Sequence, residues 1–451
     1  MIGNGSSVRH QFNLRGPILW IFRERNFRLL WLGEGVSTLG TQFYMIALPW
    51  LVLKLTGSTF TLGAVMGVAG VPRALLLLVG GALTDRFSPR LLMLVSNVVR
   101  RVLVSMLAIV VFADAIQLWM LYSLAFLFGL ADAFFYPALF AIMPQILGKE
   151  RLASGNAIVQ GISQLSIAAG PVLAGMLIAL VAGAPADAQS VVHIASLPPH
   201  AGALRMQGIA LAFAINAGTF VVSVITLRSI KVRPAETTPA DAKPQAGMLS
   251  SIIDGLIYVW RDRALRRVFV IAGALSLLGE GPVFVGVPVL ADTRLPEGPA
   301  AFGIIMSGFG VGSLIGILLA ALLPKPSPRR LGLLMGIACC LVGLALLTFG
   351  LVAATLPIAL AALVMGAGLG YTIVVMTTWL QQRTPEHLMG RMMSLLMLAV
   401  IGMIPVSMML VGALLGYTTE VLFLAAGVLI ILVGVWAART RNEEWGMQSA
   451  E

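Results

Sequence analysis

The sequence predicts an all-α membrane protein of twelve transmembrane helices arranged as two six-helix bundles. Three observations predict it. Of 451 residues, 59% are hydrophobic and only 11% charged, with a mean hydropathy of +0.95, whereas soluble domains are roughly half apolar and a quarter charged. The apolar residues fall into runs of about 20 residues or more, the length that crosses a hydrocarbon core. The basic residues between those runs lie overwhelmingly on one side. Helices are expected because lipid satisfies no backbone donor or acceptor, and the runs are too long and continuous for barrel strands.

Taken in order, the first run, 29–53, lies between Arg28 and Lys54 and is as long as the others, so it is not expected to be a cleavable leader. Runs 60–83 and 91–113 flank Arg86 and Arg90, and 116–143 stops short of Lys149. Runs 158–182 and 208–227 complete a first half that closes at Arg228. The second half begins after Arg267 with 268–291 and 300–323, continues after Arg330 with 331–353 and 356–380, and ends with 392–416 and 421–438. The expected organisation is an N-terminal segment 1–28, a bundle 29–227, a linker 228–267, a bundle 268–438 and a tail 439–451.

With twelve spans, both ends lie on one side. That side carries Arg23, Arg25, Arg28, Arg86, Arg90, Lys149, Arg151, the basic residues from Arg228 to Arg267, Lys325, Arg329, Arg330, Arg383, Arg391, Arg439 and Arg441, with Arg9 and Arg15 before them. The other side has only Lys54, Arg205 and Arg294. The positive-inside rule makes both ends cytoplasmic. The net charge of +11 therefore reports orientation and attraction to anionic lipid, with no need for nucleic acid.

The linker opens with a Pro/Ala/Thr-rich stretch that cannot pack a core. Leu249, Ile252, Ile253, Leu256, Ile257 and Trp260 then follow at helical spacing, predicting an amphipathic helix on the inner membrane surface. Ser88-Pro89-Arg90 and Ser327-Pro328-Arg329 stand after the second helix of each half, and Gln145, Glu150, Leu152 and Gln381, Glu386, Leu388 after the fourth. These echoes fit a repeated six-helix unit. The outer loop 183–207 carries His193 and His200, which have no metal-ligand spacing, and the adjacent Cys339 and Cys340 are expected to behave as small buried residues.

The run GGALTDRFSPR resembles the signature loop of the major facilitator superfamily, with Gly81, Asp85, Arg86 and Arg90 matching and Ser88 and Pro89 departing from it. Asp85, near a helix end, can pair with Arg86, Arg90 or a neighbouring helix N-terminus and latch one conformation. In the fifth helix, Ser166, Gly170, Pro171, Ala174 and Gly175 resemble the superfamily's antiporter motif, with Ala174 in place of its first paired glycine. Small residues at 166, 170 and 174 share one face, and Pro171 frees a carbonyl and bends the helix. Gly308, Gly312 and Gly316 in the eighth helix have similar spacing. The resemblance implies that these two helices meet across the halves as a sliding interface.

Six ionisable residues fall within predicted spans, where a central charge costs about 2.5 kcal/mol or more. Arg73, Arg100, Arg101 and Asp132 occupy one layer of the first half, so an arginine is expected to pair with Asp132. Glu34 joins Ser37, Thr38 and Thr41 in a polar stripe expected to face a cavity. Glu280 has no basic residue at its depth in its own half and is the acid expected to exchange protons, with Glu34 and Asp132 as the other candidates. For each acid, a structural ion pair or hydrogen bond is the alternative.

No phosphate loop, zinc helix motif or nucleophile elbow occurs in the sequence, so no enzyme activity, metal or cofactor is expected. The whole chain is similar to the superfamily branch containing macrolide efflux proteins and enterobactin exporters, through segments such as LGTQFYMIALPWLVLKLTGS and AFAINAGTF. It departs at Gly40-Thr41, where that branch commonly has Gly-Asp, and at Ala125, where many drug antiporters have arginine. The resemblance implies a monomeric secondary exporter in the bacterial inner membrane. It would move a hydrophobic or amphipathic small molecule against protons by alternating access, with protons and membrane lipids as its other partners. A lysophospholipid transporter of the same fold, and a non-transporting scaffold or sensor, are the alternatives.

Overall fold

The computed structural model describes residues 21–86, 88–147, 151–181, 200–231, 257–323, 330–384, 389–415 and 418–439. Twelve helices in it are long and apolar enough to span a membrane. They are α1 (Arg25–Thr56), α2 (Thr59–Arg86), α3 (Pro89–Phe112), α4 (Leu118–Ile146), α5 (Leu152–Val181) and α6 (His200–Ser229), followed by α7 (Arg263–Arg294), α8 (Pro299–Leu322), α9 (Leu331–Leu351), α10 (Thr355–Arg383), α11 (Met389–Ile401 continued by Met403–Leu414) and α12 (Thr419–Arg439).

Most helices outrun the apolar stretches by a few residues, because the helical ladder continues into the headgroup layer where polar side chains are solvated. The largest difference is α6, which begins at His200 and so takes in part of the stretch expected to be a loop. Most of that loop, and the predicted amphipathic helix up to residue 256, lie outside the described residues.

Local chemistry sets several ends. Gly57 closes α1 with φ +60°, donating its N–H to the Leu53 carbonyl. Ser88 caps α3, with Pro89 next, and accepts from the Leu91 N–H at 3.1 Å. Asp262 caps α7 by accepting from Ala264 and Leu265, and its other oxygen accepts from Arg383 at 2.9 Å, tying the start of α7 to the end of α10.

The two halves repeat one packing pattern. In the first, α2 packs on α4, α3 on α6 and α4, and α1 on α5 and α6; in the second, α8 packs on α10, and α9 on α12 and α10. Close backbone approach needs glycine at these contacts: a Cβ on Gly312 would lie 1.9 Å from the Leu363 carbonyl, and one on Gly336 2.6 Å from the Gly434 carbonyl. Large side chains such as Leu91, Ile109, Leu180 and Leu322 are exposed on the outer surface, as lipid-facing positions require.

The halves meet along two related seams, α5 with α8 and α2 with α11. Contacts at the end opposite the chain termini include Lys54 with Asp292, Thr59 with the Gly412 carbonyl, and Trp50 with Gly298.

Candidate functional site

On α3, Ser96, Asn97 and Arg100 fall on the buried face, one turn apart. Arg100 is 3% exposed. It donates to Asp132 Oδ1 of α4 at 2.9 Å and to Asn97 Oδ1, while Asn97 donates to Ser223 Oγ of α6 at 2.8 Å. Its guanidinium lies 4.1 Å from the ring centre of Phe135 and 5.0 Å from that of Phe220. A cation removed from water is thus met by a carboxylate, an amide and two aromatic faces. Arg73 of α2 reaches Asp132 Oδ2 at 3.5 Å and lies over the Tyr136 ring, with its side chain 37% exposed.

Glu34 lies in the same half and is buried, 5% exposed. Its Oε1 accepts from Thr38 at 3.1 Å, whereas Oε2 has no hydrogen-bond partner among the described residues. Ser37 is buried beside it and Thr41 donates back to the Ser37 carbonyl, so the stripe expected to face a cavity lies largely within the bundle at its Glu34 end. Arg101 stands apart, exposed on the outer face of α3 between Val98 and Val102. One residue is about 100° of helix rotation, which separates it from Arg100.

In the second half, Glu280 is half-buried and makes no hydrogen bond or ion pair among the described residues. It closes a π-helical stretch, Ser276–Glu280, followed after Gly281 by another, Pro282–Gly286. The sequence reading passed over this departure, although Gly281-Pro282 in mid-span is a visible signal: proline removes an N–H from the ladder. It also passed over Asn97, Ser223 and Ser407. Asn97 stands three residues from Arg100, but Ser223 and Ser407 join their partners only through the fold.

α5 and α8 meet in a seam that includes Pro171, Ala174 and Gly175 of the expected motif, but on other glycines of α8. A Cβ on Gly175 would lie 2.3 Å from the Pro299 carbonyl, one on Gly303 2.4 Å from the Pro171 carbonyl, and one on Gly310 2.5 Å from the Ile167 carbonyl. Ala174 is fully buried, and the Val172 N–H donates across the seam to Ser307 Oγ at 2.9 Å. Gly170 instead packs against Gln42 of α1, and Gly308, Gly312 and Gly316 face α10. Two stripes of small residues run along α8, offset around its axis, and the sequence pairs the wrong one with α5. Ser166 is buried and donates to its own helix at the Ile162 carbonyl.

The backbone of Gly81, Asp85 and Arg86 is helical, but the side chains of Asp85 and Arg86 lie outside what the structure describes. Arg90 donates to the carbonyls of Leu227 and Arg228 at 2.9 and 2.6 Å, holding α3 to the end of α6.

Twelve helices, two repeated halves and charges placed at mid-membrane coincide with a match over residues 30–403 to the family model described as Major Facilitator Superfamily. The chain belongs to that superfamily. Among curated relatives, the multidrug efflux pump Tap of Mycolicibacterium fortuitum is 24% identical over 436 residues, covering 94% of this chain and 95% of that protein. The enterobactin exporter EntS of Escherichia coli O1:K1 is 26% identical over 373 residues, covering 81% and 79%. Among solved structures, the nucleoside transporter NupG superposes with a TM-score of 0.68 at 12% identity, covering 91% and 98%. A bacterial homologue of the iron transporter ferroportin superposes with a TM-score of 0.63 at 18% identity, covering 92% and 99%. At those identities the superpositions speak for the fold alone.

Proposed function

We propose that this superfamily member is a secondary exporter of a hydrophobic or amphipathic small molecule, driven by proton antiport in the bacterial inner membrane, with both termini cytoplasmic. The observation that carries the coupling is the contrast between two acids. Asp132 is engaged by two guanidiniums, whereas Glu280 sits in mid-span with no cation or hydrogen-bond partner among the described residues. A carboxyl without a fixed cation can exchange its proton with the side it faces, and Asp132 serves the bundle as a structural partner. Two relatives that match most of the chain are a multidrug efflux pump and an enterobactin exporter, which supports export of small organic molecules.

Direction follows from the seams. The halves are drawn together at the end opposite the termini, by Gly175 on Pro299, Gly63 on Gly412 and Lys54 on Asp292. With the basic loops cytoplasmic, this is the state closed to the outside. Export requires the same seams to part while Asp85, Arg86 and the loop around them close the cytoplasmic side.

The test is substrate-induced proton release in proteoliposomes across a panel of cationic, neutral and acidic amphiphiles, with lysophospholipid as competitor. Wild-type protein releases protons with at least one amphiphile. Glu280→Gln still binds that compound but releases none, and Asp132→Asn keeps its release per folded molecule. Normal release by Glu280→Gln refutes the assignment, and competition by lysophospholipid alone moves the substrate class to lipid.

A further inference from the structure

Polar side chains within the spans mostly bond to their own helix. Ser166 donates to the Ile162 carbonyl, Thr293 to Val289, Thr348 to Leu344 and Thr377 to Ile373, each at 2.7–3.0 Å. Ser407 of α11 does not. It is 0% exposed. Its hydroxyl donates to the Leu277 carbonyl of α7 at 2.5 Å and accepts from the Gly281 N–H at 2.8 Å.

Leu277 O and Gly281 N are the two ends of one i→i−4 bond in an α-helix. The Ser407 hydroxyl has replaced that bond, satisfying both ends at once with its single proton and one lone pair. Insertion of a side chain into the ladder is a recognised cause of local departure from α geometry, and here the π-helical stretch closes at Glu280, inside the opened bond. Gly281 makes the approach possible, since a Cβ there would lie 2.5 Å from the Ser407 carbonyl, 2.6 Å from its Oγ and 2.7 Å from Val411. Pro282, which has no N–H to offer, weakens the α ladder at the same point.

We propose that Ser407 is the positioning residue for Glu280: by standing in the Leu277–Gly281 hydrogen bond it holds α7 open and sets the direction in which the carboxyl is presented. This rests on the reading of Glu280 as the proton-exchanging group. Without the hydroxyl, the Leu277 carbonyl either takes the Gly281 N–H or stays unpaired, because its i→i+5 partner in a π turn would be Pro282, which has no N–H. Closing the bond removes the π turn and rotates Glu280 by up to about 100° relative to the helix beyond it. Leaving that carbonyl unpaired in an apolar setting costs more than the closure.

The same serine stands beside the seam between the halves. Met408, its neighbour, presents its carbonyl 2.5 Å from where a Cβ on Gly63 of α2 would be, and Thr59 donates to the Gly412 carbonyl one turn further on. The part of α11 that carries this hydroxyl packs on both α2 and the Glu280 segment, which gives movement at the seam a path to the acid.

The experiment separates hydroxyl from shape. Threonine and valine match in volume and differ in the hydroxyl. In full-length protein with Cys339→Ala and Cys340→Ala, Glu280→Cys is labelled with N-ethylmaleimide in membrane vesicles, with position 407 as Ser, Thr, Val or Ala. Ser and Thr should label at rates within about twofold of each other. Val and Ala should differ from them by at least about fivefold, the scale of one lost hydrogen bond. With Glu280 intact, Ser407→Ala should release fewer protons per substrate than wild type, and Ser407→Thr should restore the ratio.

Labelling of Val like Thr overturns the proposal, because shape then suffices. If Thr and Val both fail to fold for lack of space, the alanine variant decides: wild-type labelling together with wild-type proton release refutes it. Normal proton release from Glu280→Gln overturns the coupling assignment instead, and the labelling series still judges whether Ser407 sets the position of residue 280.

Discussion

Replacing Asp132 with asparagine removes the charge that faces Arg100 while keeping the side chain's size. The guanidinium it leaves behind is 3% exposed and 2.9 Å from the altered oxygen. Asn97 Oδ1 and the Phe135 and Phe220 rings still contact it, but none supplies the lost negative charge. Breaking a buried pair from one side costs about 3–5 kcal/mol, a large part of the roughly 5–15 kcal/mol that holds a folded protein together. The second partner provides an internal control. Arg73 approaches Asp132 at 3.5 Å with its side chain 37% exposed, so Arg73→Ala should cost no more than about 1 kcal/mol. Removing both buried charges, as Asp132→Asn with Arg100→Met, should recover part of the loss, because no orphaned charge remains. Equilibrium unfolding in mixed micelles, followed by helical circular dichroism, reads these differences, and membrane abundance should fall in the same order. Asp132→Asn within about 1 kcal/mol of wild type, or an equal cost for Arg73→Ala, would refute the assignment of Arg100 as the partner that matters.

Gly175→Leu should abolish export and lower cysteine crosslinking between α5 and α8 at the end opposite the termini. Its Cβ alone would stand 2.3 Å from the Pro299 carbonyl, and overpacking of this kind costs about 1–3 kcal/mol in the closed state; undiminished crosslinking and transport would show that the seam does not need to close this tightly. Asp85→Asn should leave the protein folded and slow transport severalfold, since the latch it is expected to form lies at the end of α2 on the side of the chain termini, and wild-type rates at equal membrane abundance would remove Asp85 from the gate.

What the sequence by itself determined is what depends on local properties. Span length and helix number follow from runs of apolar residues, and those properties need no partner. The depth of each membrane charge is equally legible, because depth is residue count along a rigid rise. Thus the sequence puts Arg73, Arg100, Arg101 and Asp132 in one layer and sets Glu280 apart for want of a neighbouring cation. Direction around the helix axis was not legible. In a soluble protein the polar face marks the outside, but here lipid and protein interior are both apolar, and most of the helices carry almost no asymmetry between faces. Arg100 and Arg101 look alike in the sequence, yet one sits against Asp132 and the other faces outward. The glycines at 308, 312 and 316 read as a seam for α5 and serve α10, while Gly303 and Gly310 take that role. The Ser407 hydroxyl in the opened ladder of α7 lies furthest from the reach of sequence. It joins residues more than a hundred positions apart, and only the packing of α11 on α7 brings the hydroxyl to the bond it replaces.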